Sequence, residues 1–193
     1  MDGIEKTLWR GGTQLAPVPV VLVGCGDRKR WKYNLITVAW CGTAASDPPQ
    51  LAISVRKERW SFAPISELGE FTVNLPNTAM VSALDNCGVV SGREADKFAL
   101  HQLTPVPGSK VSAPIVAESP LSLECRVSRQ LDLGSHTMFI GEILAVQVDS
   151  KLIDEKGKFD IERAGLVAYA HGHYFELGKC LGSFGFSVRG RGK

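Results

Sequence analysis

The sequence lacks a dominant charge. Its 22 Lys and Arg stand against 20 Asp and Glu, a formal net charge of +2 over 193 residues. No global field draws it to nucleic acid, so any anion site must be local. It also lacks an apolar run long enough to cross a membrane. The opening MDGIEKTLWRGG has no basic flank leading into an apolar stretch, so no secretory leader is expected there. Cysteine is sparse and odd in number, at positions 25, 41, 87, 125 and 180, with no CxxC spacing. That argues against a disulfide framework or zinc ribbon and fits a reducing cytoplasm, with structural thiols as the default. Nucleotide fingerprints fail as well. Gly24-Cys25-Gly26 has no third glycine, Gly178-Lys179 is followed by Cys180 where a P-loop needs Ser or Thr, and no G-x-S-x-G elbow occurs.

What is abundant is punctuation. Twenty glycines and ten prolines divide the chain into many short elements. Strands are expected at Val18–Val23, Asn34–Trp40, Leu51–Val55, Phe71–Leu75, Leu121–Val127, Thr137–Val148, Leu166–Ala170 and Gly182–Val188. In Leu121–Val127 the apolar residues alternate with Ser122, Glu124 and Arg126, which reads as a strand with one wet face. Gly141, inside a long strand, suggests a bulge or a close backbone approach. Short helices are expected from a Ser61 cap to Leu68, over 78–86, and after a Ser91–Glu94 capping box. The basic stretch 26–32 reads as a turn. Strands and helices do not alternate regularly, so the fold class is mainly β, an antiparallel barrel with a few short helices outside it. With no repeat, linker or composition break, one domain over 1–193 is the simplest reading.

Three segments carry candidate chemistry. SVRKERWS, residues 54–61, places Arg56, Lys57 and Arg59 between the hydroxyls of Ser54 and Ser61, where a strand meets a helix. A phosphate monoester needs charge-assisted donors and free amides, and this segment offers both; a solvated basic turn is the competing reading. NLITVAW sets Asn34 and Thr37 into a strand that otherwise wants burial, where they could read the edge of a planar heterocycle or merely be surface. Cys87-Gly88 and SGREADKF permit close backbone contact and add Lys97. His171 and His173 share a strand face by spacing, but no third ligand is evident and no metal is expected. His101 falls on a predicted helix surface, and His136 precedes a long strand.

In order and spacing, the segments PVPVVLVG, NLITVAW, ISVRKERWS, FTVNLP, the Cys87 to Phe98 stretch, GSHTMFIGEI and HGHYFELGKCLG resemble the flavin reductase-like family, and within it the flavoredoxin branch. The likeness runs from about residue 17 to 186, leaving 187–193 as a basic, flexible tail. It implies an FMN-binding split β-barrel of Greek-key type that works as a homodimer. Asn34, Leu35, Ile36, Thr37, Ala39 and Trp40 would then border the flavin ring. Ser54, Val55, Arg56, Lys57, Arg59 and Ser61 would hold the phosphate, with Cys87, Gly88, Ser91, Gly92 and Lys97 completing the phosphate and ribityl side. Asn74 would sit near the ribityl or ring, His136 near the flavin or an incoming nicotinamide, and Tyr174 in a segment brought toward the site. No side chain need act as acid or base. The resemblance implies an NAD(P)H-dependent flavin reductase passing electrons from NADH or NADPH through FMN to free flavin, a metal centre or a redox protein. The alternative is a flavoredoxin-like carrier, reduced by a partner protein, with no NAD(P)H oxidation of its own.

Overall fold

The computed structural model describes residues 4–188. In chain order the strands and helices are β1 (Val18–Pro19), β2 (Val21–Cys25), β3 (Asn34–Val38), β4 (Cys41–Ser46), β5 (Pro49–Val55), α1 (Phe62–Leu68), β6 (Glu70–Leu75), α2 (Val81–Val89), α3 (Lys97–Leu100), β7 (Pro105–Pro107), β8 (Pro114–Val116), β9 (Leu121–Asp132), β10 (Thr137–Val148), β11 (Val167–Ala170) and β12 (His173–Glu176). Seven strands form one antiparallel sheet in the order β3-β2-β6-β9-β10-β5-β4.

The two edge strands of that sheet, β3 and β4, are neighbours in sequence and joined by Ala39 and Trp40 alone. Six inter-strand spacings of a flat sheet would separate them by about 29 Å. Three extended residue steps reach only about 11 Å. The sheet must therefore curl until its edges meet, and the Ser54 N–H, donating to the Trp40 carbonyl at 2.8 Å, carries the β4–β5 pairing one residue past Cys41 and Ile53 into the connecting turn. The result is a mainly β split barrel.

Alternation of side chains divides the core in two. Val21, Val23, Cys25, Ile36, Val38, Ile53, Phe71, Cys125 and Phe139 fill the barrel, whereas Val20, Leu22 and Leu35 face outward and are covered by α2 and α3 through Leu84, Cys87 and Phe98. Gly141 has both expected features. The β9–β10 register shifts between Ile140 and Gly141, and a Cβ at Gly141 would stand 2.7 Å from the Phe71 ring.

Several expectations are corrected. β3 ends at Val38 rather than Trp40, because the chain turns there into β4, a strand of small residues without a strong apolar pattern. Residues 182–188 are not a strand; they form irregular chain and a short 3-10 turn at Phe186–Val188, and no strand among the described residues pairs with them. The tail's last residues, 189–193, lie outside the described residues. β12 went unexpected, and His171 lies in the turn before it with φ of +47°, so His171 and His173 do not share a strand face. His101 ends α3, half-buried, with Nε2 2.8 Å from Asn86 Oδ1.

Ser91 does not cap a helix. Its hydroxyl accepts from Arg93 in a tight turn, while Asp96 caps α3 by accepting from Phe98 and Ala99. Ser61 precedes α1 but makes no capping bond. The expected wet face of β9 is dry at Ser122 and Glu124, because the β7–β8 hairpin folds over it. Glu124 accepts there from Ser109 Oγ, the Lys110 and Val111 amides and Gln147 Nε2. Burial would raise its carboxyl, but those hydrogen bonds outweigh it and hold the group below its ordinary range.

Candidate functional site

Two adjoining clefts open where the barrel edges meet. One, of about 400 Å³, is lined by the last residues of β3, the Ala39–Trp40 turn, Ser54 and Val55 of β5, Arg56, Arg59, His136 and Tyr169. The other, of about 280 Å³, is lined by Asn34, Ile36, the 58–61 turn, Cys87, the Val90–Gly92 turn and Lys97, and shares Arg56 and Arg59 with the first. The first offers a flat, partly apolar wall; the second is rich in donors and positive charge.

The second cleft is built from commitments made in the core. Lys97 is 3% exposed, and its ammonium donates to the Leu35 and Cys87 carbonyls, each at 2.8 Å. An ammonium has three hydrogens, so one remains for the cleft it lines. Burial lowers its pKa, partly opposed by the nearby Cys87 and Cys25 thiols. Asn34, 2% exposed, donates from Nδ2 to Ser61 Oγ at 2.8 Å. Its Oδ1 is buried with no hydrogen-bond partner. A Cβ at Gly92 would lie 2.6 Å from that oxygen, so the glycine permits the Ser91–Gly92 turn to close over Asn34. A buried acceptor left alone is costly. One that also lines a cleft calls for a hydroxyl or amide from a ligand.

Arg56 and Arg59 form the rim. The Arg59 N–H donates to the Arg56 carbonyl at 3.1 Å, and Phe62 N–H donates to Arg59. The early amide of α1 at Phe62 is thus already used. The donor set suits a phosphorylated polyol carrying a planar ring: cations for the phosphate, the orphaned Asn34 oxygen and Ser61 and Ser91 hydroxyls for the polyol, and the β3–β5 wall for the ring. Among the described residues no group of three His, Cys, Asp or Glu could hold a metal ion.

Of the residues expected at the site, the clefts bring together Asn34, Ile36, Thr37, Ala39, Trp40, Ser54, Val55, Arg56, Arg59, Ser61, Cys87, Ser91, Gly92, Lys97 and His136. Five lie elsewhere. Leu35 is fully buried under the helices. Lys57 turns to Asp132, 2.5 Å away. Asn74 is buried with both side-chain atoms engaged, donating to the Leu22 carbonyl and accepting from the Val116 amide and Ser122. Gly88 lets α2 press on Thr37, whose hydroxyl donates to the Leu84 carbonyl. Tyr174 packs its ring edge-on to Tyr169, at 5.7 Å, and donates to Asp85. Burial first, then Asp85, pushes its phenol up to about 12. Tyr169, Glu58 and Trp60 are cleft residues that the sequence reading missed. Glu58 and Trp60 lie within SVRKERWS, among the cations and hydroxyls that mark the segment as an anion site.

Comparison with known proteins places this architecture. A family model described as Flavin reductase like domain matches residues 13–178. The flavoredoxin of Desulfovibrio vulgaris (Miyazaki F) superposes with a TM-score of 0.89 at 36% identity, covering 96% of this chain and 100% of that one. The flavoredoxin from Methanosarcina acetivorans gives 0.88 at 30% identity, over 96% of this chain and 98% of that one. A ferric-chelate reductase (NAD(P)H) of Archaeoglobus fulgidus is 24% identical over 135 residues, 69% of this chain and 72% of its own length.

Proposed function

Because the chain belongs to the flavin reductase-like domain family, we propose that it is an FMN-binding electron carrier of the flavoredoxin kind. The likeness to flavoredoxins over 96% of the chain supports the carrier reading above a reductase. The observation that carries it to a ligand is the unpartnered Asn34 Oδ1, buried on a cleft rimmed by Arg56, Arg59 and Lys97. FMN, when bound, supplies the redox chemistry. The chain's residues bind and orient it. Arg56, Arg59 and Lys97 neutralise the phosphate, Asn34 accepts from the polyol, and the wall from Ile36 to Trp40 with Val55 shields the ring.

The visible absorption spectrum of the purified protein, followed by titration of stripped protein with FMN, tests this. A flavin spectrum and a Kd well below that for riboflavin are expected. A colourless protein indifferent to FMN defeats the reading.

A second reading, an NAD(P)H-dependent flavin reductase, draws on His136 and Tyr169, which line the larger cleft and could receive a nicotinamide. The kinship to a ferric-chelate reductase favours it too. Anaerobic mixing of the FMN-loaded protein with NADH or NADPH separates the two: prompt loss of flavin absorbance marks a reductase, persistence the carrier.

We further propose that the protein pairs with a second copy. An apolar basin of about 520 Å³ lies beside the cleft, lined by Leu15, Val18, Trp40, Ala52 and Met138 with the edge strand β4. Light scattering should return twice the monomer mass. With all five thiols free, the expected setting is a reducing compartment.

A further inference from the structure

A carboxylate has the wrong sign for a cleft that grips an anion, yet Glu58 lines the polar cleft together with Arg56, Arg59 and Lys97. Its Oε1 lies 3.4 Å from Arg56 Nη1. The tight turn closed between Arg56 and Arg59 keeps all three side chains on one rim. The fold does not need this glutamate. Its side chain is 64% exposed, and Arg56 is its only side-chain partner among the described residues. It stays ionised at neutral pH, since its own backbone N–H, then Arg56 and Arg59, hold its carboxyl below the ordinary range.

Lys57, which would have offset it, is turned away onto Asp132. The rim therefore presents two guanidinium groups with a carboxylate among them. Two opposite consequences follow. Glu58 orders Arg56, which favours anion binding, and Glu58 repels an incoming anion and must release Arg56 to it. The first effect is small for an exposed pair, which typically contributes a fraction of a kcal/mol before salt screening. The second acts on a phosphate monoester that carries nearly two negative charges. Repulsion wins.

We propose that Glu58 is a built-in competitor for the ligand's phosphate, setting how tightly a flavin phosphate is held without touching the hold on the neutral ring and polyol. The inference rests on the FMN reading of the cleft and names the residue that governs exchange within it.

The test is the near-isosteric Glu58→Gln, which removes the charge and keeps the shape. Dissociation constants for FMN and for riboflavin are read by flavin fluorescence quenching on stripped wild-type and variant protein, at low salt and at about 0.5 M salt. The variant should bind FMN about three- to fivefold more tightly at low salt. The gain should shrink at high salt as the charges are screened, and riboflavin binding should not change. An FMN affinity that is unchanged or weaker overturns the proposal, because Glu58 would then be a bystander or a support for Arg56. Equal tightening for both flavins also overturns it, since the effect would not lie at the phosphate. If wild-type protein shows no preference for FMN over riboflavin, the anion-cleft reading itself falls, a result distinct from the failure of Glu58 alone.

Discussion

Arg56 and Lys57 are adjacent in sequence and both cationic, but they open the turn that follows β5, which sends the two side chains to different neighbours. Arg56 meets the cleft and Lys57 meets Asp132. Alanine at Arg56 or at Arg59 should raise the Kd for FMN about tenfold, in line with the loss of one charge-assisted hydrogen bond. Lys57→Ala should leave it within about twofold, as expected for an exposed ion pair remote from the ligand; the same titration reads both. Thiol reactivity divides along similar lines. Burial pushes Cys25, Cys41 and Cys125 up to about 12 and Cys87 up to about 11, while Cys180 is exposed. Only a thiolate attacks a disulfide reagent. At pH 8 the native protein should therefore react at Cys180 and the denatured protein at all its cysteines, as an absorbance assay with an aromatic disulfide would count. That SVRKERWS carries the cleft's rim was legible from its cations and its place at a strand end. Which cation turns inward was not, because direction depends on a partner, Asp132, that is distant in sequence.

Elements show where alternation informs and where it misleads. Leu123, Cys125 and Val127 of β9 do face the barrel. Ser122, Glu124 and Arg126 were expected in water; Arg126 is exposed, but segment 105–116 covers Ser122 and Glu124. No local pattern announces that a glutamate will be enclosed by a hairpin from elsewhere. Its hydrogen-bond partners are what make enclosure tolerable. Glu124→Gln should destabilise the protein by about 1–3 kcal/mol, since the amide puts a donor against the Lys110 and Val111 N–H groups. The pH dependence follows from a carboxyl held lower in the folded than in the unfolded state. Its contribution is complete above the unfolded pKa and is lost as pH falls through the folded one. The wild-type advantage over the variant in urea melts should be full at pH 7 and narrow toward strongly acid pH. Gly141→Ala brings a methyl group onto Phe71 and Cys125 and should cost about 1–3 kcal/mol, visible as a lower urea midpoint.

The barrel as a whole was foreseeable from many short strands and irregular helix placement. The strand that completes it was not, because β4 is a run of small residues with little periodicity, Cys-Gly-Thr-Ala-Ala-Ser. Site geometry followed the same boundary. Residues carried on well-patterned strands, such as Asn34, Ile36 and Ser54, line the clefts. Asn74, equally polar in an equally apolar strand, was taken into a core network with Ser122 and Val116.

Trp40 and Ser54, whose carbonyl and amide form the last rung of the β4–β5 ladder, also belong to the wall of the larger cleft. A guest seated there rests on the end of that ladder, so occupancy and fraying of its last rung are one equilibrium seen from two sides. Deuterium should enter the Ser54 amide more slowly in loaded than in empty protein, while the amides of Phe71 and Leu123, on the far wall, keep their pace.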